Sequence, residues 1–346
     1  MTVAQVHSVP LTAPESPCVT TGGRAHPRLR PLVLGYGGFR SGSGRALAHR
    51  LLPVPFVTLI LDRDVVLVTG ARGVAAVDGL TTWGCGVTVG LTPYGVAALL
   101  GVPMGALAGL SLLLGDVVGR RAAELGERLA GVGGVGDRGG QADGVREAAG
   151  SSERPTGLSD AVDRGRLPTG ELGRLPTGDL GGWPTGLRDA DPGEQATVLP
   201  DAGNLGERAT GVRGQFALLD DLLPGLAARP APPPDPVVAA AWELLQRPSP
   251  VRVGAVASAL GVSRRRLERS FVRQVGLTPA AVSRIARFQR AVGALSRGTT
   301  LADAAAVGGY ADQPHLTRDM RALTGITPGA LCRAAFVPEP AAFVSD

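Results

Sequence analysis

The last hundred residues of this chain contain one plan written twice. At an offset of 49, Leu267 aligns with Leu316, Arg269 with Arg318, Phe271 with Met320, Gly276 with Gly325, Thr278 with Thr327 and Pro279 with Pro328. A duplication of this length confines the segment to two equivalent supersecondary units. In the first copy Val253, Val256, Ala257 and Leu260 predict a short helix, Gly261 permits a left-handed turn, and Ser263 caps a second helix. In the second copy Thr300 and Asp303 form a capping pair for a helix containing Leu301, Ala304 and Val307. Gly308-Gly309 make the turn, and Asp312 caps the next helix. The pattern is helix, tight turn, helix, twice over.

Residues spaced by 100° on these helices separate into two faces. Leu267 and Phe271 fall on one side of the helix that starts at Ser263, and Arg265, Glu268, Arg269 and Val272 on the other. In the second copy Leu316, Met320 and Leu323 face inward, Pro314, Thr317, Arg318 and Arg321 face outward, and Gln313 and His315 flank them. With Arg264, which opens the basic run, the candidate DNA contacts are Arg264, Arg265, Glu268, Arg269, Gln313, Pro314, His315, Thr317, Arg318 and Arg321. These side chains suit base edges: arginine clamps guanine, glutamine pairs with adenine, and proline or a threonine methyl presses on thymine. Thr278-Pro279 opens a long helix striped by Val282, Ile285, Val292 and Leu295, which would hold the two readers apart. Two such helices would enter successive major grooves about 34 Å apart. A run of charge on a helix is ordinarily a solvated face. Repetition at Arg269 and Arg318 is what favours contact, whereas His315 would serve equally as a cap or surface residue.

Charge follows the duplication. Residues 251–335 carry 13 arginines against Glu268, Asp303, Asp312 and Asp319, a balance of +9, while residues 1–250 carry −2. Basicity localised in this way is an electrostatic footprint for nucleic acid. The chain has no lysine, which removes phosphate loops of the GxxxxGK type, Schiff-base lysines and Ser-x-x-Lys nucleophiles. Cys18, Cys85 and Cys332 lie far apart, and His7, His26, His49 and His315 lack metal-ligand spacing. No Ser sits in a GxSxG elbow. No enzyme activity and no cofactor are expected.

The remaining sequence is uneven. Of the 346 residues, the first 25 are polar and aperiodic, and are expected to be a disordered terminus with no secretory signal. Residues 26–130 read as a small α+β domain. Strands are predicted near Phe56–Leu61, Val65–Val68 and Val87–Val89, then a helix from Thr92-Pro93 to about Leu100 and another near Leu112–Leu129. In residues 131–215, 27 of 85 are Gly or Pro and Trp183 is the only aromatic, so no core can form there. Pro-Thr-Gly recurs at 155, 168, 176 and 184, and the segment reads as a disordered low-complexity insertion. Residues 216–236 read as a helix and a Pro-rich spacer, 237–335 as the duplicated domain, and 336–346 as a tail.

Two weaker signals are present. Gly131–Gly136 satisfies GxGxxG but follows a helix and enters low complexity, where a dinucleotide site needs a strand before it and a helix after. Residues 79–115 lack charge, and Gly101, Gly105 and Gly109 recur every four positions, as in a membrane span. Pro93 and Pro103 favour two short buried helices instead.

The run Ala257-Ser-Ala-Leu-Gly-Val-Ser-Arg-Arg-Arg-Leu-Glu-Arg-Ser-Phe271, with Gly276-Leu-Thr-Pro279, resembles the DNA-binding domain of AraC/XylS-type transcriptional regulators. Gly309-Tyr-Ala-Asp-Gln-Pro-His-Leu-Thr-Arg318, through Gly325-Ile-Thr-Pro328, resembles that family's second motif. Pro314, Leu316 and Met320 depart from it, where a small polar residue and aromatics are commoner. The resemblance covers residues 237–335 and implies a seven-helix, two-reader domain that binds promoters, commonly as an activator recruiting RNA polymerase. Residues 26–130, with Leu91-Thr-Pro-Tyr-Gly-Val-Ala-Ala-Leu-Leu-Gly-Val-Pro103, resemble a poorly characterised N-terminal domain of some members.

The expectation is therefore an α+β N-terminal domain and an all-α C-terminal domain with two helix-turn-helix motifs, separated by a long disordered Gly/Pro-rich insertion. Its function is that of a cytoplasmic, sequence-specific regulator of transcription acting on double-stranded DNA. The N-terminal domain would sense a small effector or pair two copies into a homodimer. The competing reading, an enzymatic or membrane-anchored N-terminal region with an appended DNA-binding domain, has no catalytic constellation behind it.

Overall fold

The computed structural model describes residues 5–11, 19–41, 46–62, 65–77, 80, 82–132, 212–226, 232–248 and 251–335. The expected insertion at 131–215 and the tail at 336–346 fall almost entirely outside them, as do most of the GxGxxG run and all of the Pro-Thr-Gly repeats.

The N-terminal part is built on two antiparallel sheets. The larger has the order β2 (Val19–Gly23), β3 (Val33–Arg40), β8 (Cys85–Leu91), β5 (Val57–Asp62), β6 (Val66–Thr69), β9 (Ser111–Leu113). The smaller has the order β1 (Ser8–Pro10), β4 (Leu47–Leu51), β7 (Thr82–Trp83). The unbroken apolar run at β5 has a direct cause, because both of its faces are covered. Val57, Leu59 and Leu61 enter the main core, while Ile60, on the other face, packs with Leu51 and Leu67. Strand β3 carries three glycines, and at two of them it passes its neighbours closely: a Cβ on Gly35 would stand 3.0 Å from the Gly23 carbonyl oxygen, and one on Gly37 2.6 Å from Thr88 Oγ1.

Helices follow. Thr92 caps Pro93–Gly95 (α1) by accepting from Gly95 N–H, and the chain continues as a single π-helical turn, Val96–Leu100, that stops at left-handed Gly101. The helix expected near Leu112–Leu129 is divided. Ser111–Leu113 instead pairs with β6, and Gly119, at φ 65°, separates Leu114–Val118 (α2) from Arg121–Val132 (α3). No helix among the described residues is long and apolar enough to cross a membrane.

After the insertion the chain returns to the sheet. Val212–Leu222 (α4) lays Phe216 against the Tyr36 ring at 5.4 Å between centroids, over Gly23, where a Cβ would come within 2.3 Å of the ring. Asp220 Oδ1 accepts from Tyr36 Oη at 2.7 Å and from His26 N–H at 2.9 Å, and Arg28 pairs with Asp221. This helix, expected to open an interdomain spacer, is part of the N-terminal core.

The C-terminal part has seven helices among the described residues: α5 (Pro236–Leu245), α6 (Val253–Ala259), α7 (Arg264–Val275), α8 (Pro279–Leu295), α9 (Leu301–Gly308), α10 (Gln313–Thr324) and α11 (Pro328–Ala335). Its packing does not stop at the expected boundary near residue 237. One hydrophobic cluster runs from Ala25 and the large sheet through α4 to Trp242, Leu267, Phe271 and Val282. A second gathers α8 to α11 around Phe288, Val292, Leu316 and Met320, and includes Val9 and Leu52 from the N-terminal part.

Those contacts correct the expectation of a disordered terminus for residues 5–11 and 19–25, the part of that stretch among the described residues. Strand β1 pairs with β4, and Val9 is 1% exposed. Three residues are too few to show a strand periodicity, and the partner is tertiary.

Two histidines belong to the small sheet and its approach, His49 within β4 and His7 just before β1. His7 Nε2 is 2.9 Å from Thr69 Oγ1, and His49 Nδ1 is 2.7 Å from the Leu47 carbonyl oxygen. Burial, then the charges of Arg72 and His49, pushes His7 down to about 3, and burial pushes His49 down to about 4. Both stay neutral in the folded protein while the unfolded chain protonates below 6.5. Each histidine therefore removes stability as pH falls from 6.5 towards its own folded value, at up to roughly 1.4 kcal/mol per pH unit. Denaturant unfolding between neutral pH and pH 4 should show a shallower slope for a His7→Asn, His49→Asn chain than for the wild type.

Candidate nucleic-acid interface

Helix α7 begins where Ser263, in extended conformation, accepts from Arg266 N–H at 3.2 Å, and ends at Gly276, at φ 80°. Leu267, Phe271 and Val275, four residues apart, are buried, so the opposite side is turned to solvent. Arg265, Arg266, Arg269, Val272 and Arg273 are exposed there, and Arg264 is exposed in the first turn. Arg264 Nε and Glu268 Oε1 are 2.8 Å apart, an i,i+4 pair with side chains 67% and 42% exposed. Such a pair contributes only a few tenths of a kcal/mol and exchanges readily with an outside anion. Among the described residues Arg265, Arg266, Arg269 and Arg273 form no ion pair.

Helix α10 repeats the construction. Asp312 Oδ1 accepts from His315 N–H at 2.6 Å, and Gly325 at φ 73° ends the helix. Leu316, Met320 and Leu323 are buried, Gln313, Pro314, Arg318 and Arg321 are exposed, and His315 and Thr317 are half-buried. His315 and the Tyr310 ring form a T-shaped contact at 5.2 Å between centroids, so part of the imidazole is committed to the protein. The preceding helix α9 is capped by Thr300, whose hydroxyl accepts from Asp303 N–H and donates to Asp303 Oδ2 at 2.7 Å. Left-handed Gly309 makes its turn.

Helix α8 joins the two pairs. Thr278 caps it through Ala281 N–H, and Val282, Ile285, Val292 and Leu295 are buried along it. Its tie to α10 was not legible as a contact in the sequence. Asp319 Oδ1 lies 2.6 Å from Arg284 Nε, Asp319 Oδ2 accepts from Tyr310 Oη at 2.8 Å, and Arg287 sits 5.1 Å over the Tyr310 ring. With both carboxylate oxygens engaged and its side chain 10% exposed, Asp319 fixes the roll of α10 against α8. Burial, then the bond to Asp319, raises the Tyr310 phenol, which keeps it a neutral donor. A lone acid on α10 facing a linking helix that carries Arg284, Arg287 and Arg290 was the available signal. The equivalent positions in the first copy are Gly261 and Ser270, which cannot make this lock.

Asp319→Ala should lower stability by about 1–3 kcal/mol, and Tyr310→Phe by about 1 kcal/mol. Urea unfolding of the two variants measures both effects.

Residues 256–334 match the family described as "Helix-turn-helix domain". No curated protein matches the chain. Similar solved structures include a transcriptional regulator with an AraC-type DNA-binding domain from Chromobacterium violaceum, at 28% identity and TM-score 0.27, covering 29% of this chain and 93% of that one. A probable AraC family transcriptional regulator from Rhodopseudomonas palustris CGA009 is 27% identical, with TM-score 0.27, over 30% of this chain and 100% of that one. The C-terminal domain of AraT, a response regulator from Geobacillus stearothermophilus, is 22% identical, with TM-score 0.30, over 32% of this chain and 93% of that one. The C-terminal part of the chain carries a helix-turn-helix domain.

Among the described residues no group of three or more His, Cys, Asp or Glu side chains is placed to hold a metal ion.

Proposed function

We propose that this protein is a sequence-specific, DNA-binding regulator of transcription that reads two successive major grooves, one with α7 and one with α10. The observation that carries this reading is the repeated face. Each helix buries its apolar stripe, at Leu267 and Phe271 or Leu316 and Met320, and presents equivalent exposed arginines, Arg269 and Arg318. In the first groove Arg265 and Arg269 would read bases, with Arg264 and Glu268 as an exchangeable pair beside them. In the second, Gln313, Pro314, Thr317, Arg318 and Arg321 would do so, with His315 at the edge.

The helix-turn-helix domain supports DNA as the partner. RNA polymerase, a small effector sensed by the N-terminal region, a second copy of the chain and a cytoplasmic setting belong to the same reading. Selecting bound sites from random duplex DNA with the full chain tests it. The expected site is asymmetric, with two boxes centred about one helical turn, roughly 10 base pairs, apart. Recovery of one short box, or of no shared sequence, would contradict it.

A further inference from the structure

The N-terminal region touches the helical domain at several places that together span both helix pairs. At the first pair, the turn Met104–Leu107 lies on the C-terminal end of α7. A Cβ on Gly105 would stand 2.5 Å from the Arg273 carbonyl oxygen, and one on Gly276 would stand 2.2 Å from Ala108 Cβ. At the second pair, Ala75 N–H donates to the Leu323 carbonyl at 2.7 Å, and Arg50 Nη1 to the Thr324 carbonyl at 3.2 Å, both in the last turn of α10.

Between these two contacts lies Gln289, about midway along α8 and 1% exposed. Its Oε1 accepts from Val6 N–H at 2.9 Å, and its Nε2 donates to the Val6 and Pro53 carbonyls at 3.0 and 2.8 Å. A buried primary amide is costly unless its donors and acceptor are met, so this residue suits its position only with that backbone laid over it. Trp242 of α5 adds a fourth tie, donating from Nε1 to the Pro55 carbonyl at 2.7 Å.

The duplicated domain needs such support unevenly. The second pair is locked to α8 through Asp319, Arg284 and Tyr310, whereas the first pair has glycine and serine at the corresponding positions. The first pair joins α8 through Gly276, a single left-handed residue at φ 80°. The turn at Gly105 rests against that joint.

We propose that the N-terminal sheet region is a brace that sets the separation and angle of the two reading helices, with Gln289, Arg50 and Gly105 as its positioning residues. The proposal rests on the two-groove reading. Two linked binding modules gain most when their spacing is held to that of their sites, because the second contact is then made at high effective concentration. Loosening the brace lowers that concentration and leaves each reader's own contacts intact.

The test uses the full chain and three variants, Gln289→Met, Arg50→Ala and Gly105→Ala, none at a candidate base contact. The probes are the two-box duplex selected by the wild type, duplexes with either box replaced, and duplexes whose spacing is altered by up to half a turn, roughly 5 base pairs. The brace variants are expected to lose roughly 10-fold in affinity for the two-box duplex while single-box affinity changes by less than about 2-fold. Their preference for the native spacing over the altered ones should flatten. Equal losses on one-box and two-box duplexes would overturn the proposal, since they report damage to the fold alone. Tighter binding of the two-box duplex would also overturn it, since the region would then be a restraint. Should Gln289→Met fail to fold, Arg50→Ala carries the test, because it removes a single side chain to backbone bond. A wild type that binds one-box and two-box duplexes equally would remove the two-groove reading itself, and the brace with it.

Discussion

Arg269→Ala and Arg318→Ala should each weaken discrimination between the selected DNA site and random sequence by about 1–3 kcal/mol, a loss of roughly 5- to 150-fold. The reason is geometric. Both guanidinium groups stand exposed on a helix whose opposite side is buried, and neither is tied to a carboxylate among the described residues. A planar fork of donors in that position is available to a guanine edge without first breaking an internal bond. The two residues lie on separate helices and share no partner, so their effects should add in the double variant. Folding stability should change by no more than about 0.5 kcal/mol, since exposed substitutions away from caps and ion pairs rarely do more. Competition binding against random duplex DNA, with urea unfolding alongside, separates the two quantities. Equal affinity for all sequences before and after substitution would count against base reading.

Phe271→Ala, two residues from Arg269 on the same helix, should behave in the opposite way. Phe271 is fully buried in the cluster that joins the large sheet to α5, α6 and α7. Removing an aromatic ring from such a site costs about 3–5 kcal/mol, partly through lost transfer free energy and partly through the cavity left behind. That loss is a large share of the 5–15 kcal/mol or so that holds an ordinary domain together. DNA binding should fall only as far as the folded fraction falls, and specificity in the folded fraction should persist. A Phe271→Ala chain that keeps its stability but loses specificity would show that the inward and outward faces of α7 have been confused.

The helical half of the molecule was legible because its signals are local. Ser263, Thr278, Thr300 and Asp312 each cap the helix that their sequence position indicates, and Gly261, Gly276, Gly309 and Gly325 each take the left-handed conformation that ends a helix or makes a turn. The N-terminal half was legible only in part. The runs Phe56–Leu61 and Val65–Val68 give strands because side chains cover both faces of β5. Strand β3, with Gly35, Gly37 and Gly38, lacks the β-branched signature, and Gly35 and Gly37 answer to the crowding of neighbours distant in sequence.

The division of the chain was the least legible feature. Composition separates a sheet-forming part from a helical part with 85 poor residues between them, but it cannot show that α4 returns across that gap to Tyr36. Nor does any local pattern announce that Gln289 bonds to Val6, 283 residues away. The same limit explains Asp319. It counted in the sequence as one of four acids in a basic segment, and its partners are set by the crossing of α8 and α10.

Hydroxyl-radical footprinting of the full chain on its selected duplex, repeated with Arg269→Ala and Arg318→Ala, tests the central claim most directly. Two protected patches on one side of the DNA, centred about one helical turn apart, are predicted for the wild type, and each variant should weaken a different patch. A single patch, or the same patch weakened by both variants, would contradict the assignment of one groove to α7 and the next to α10.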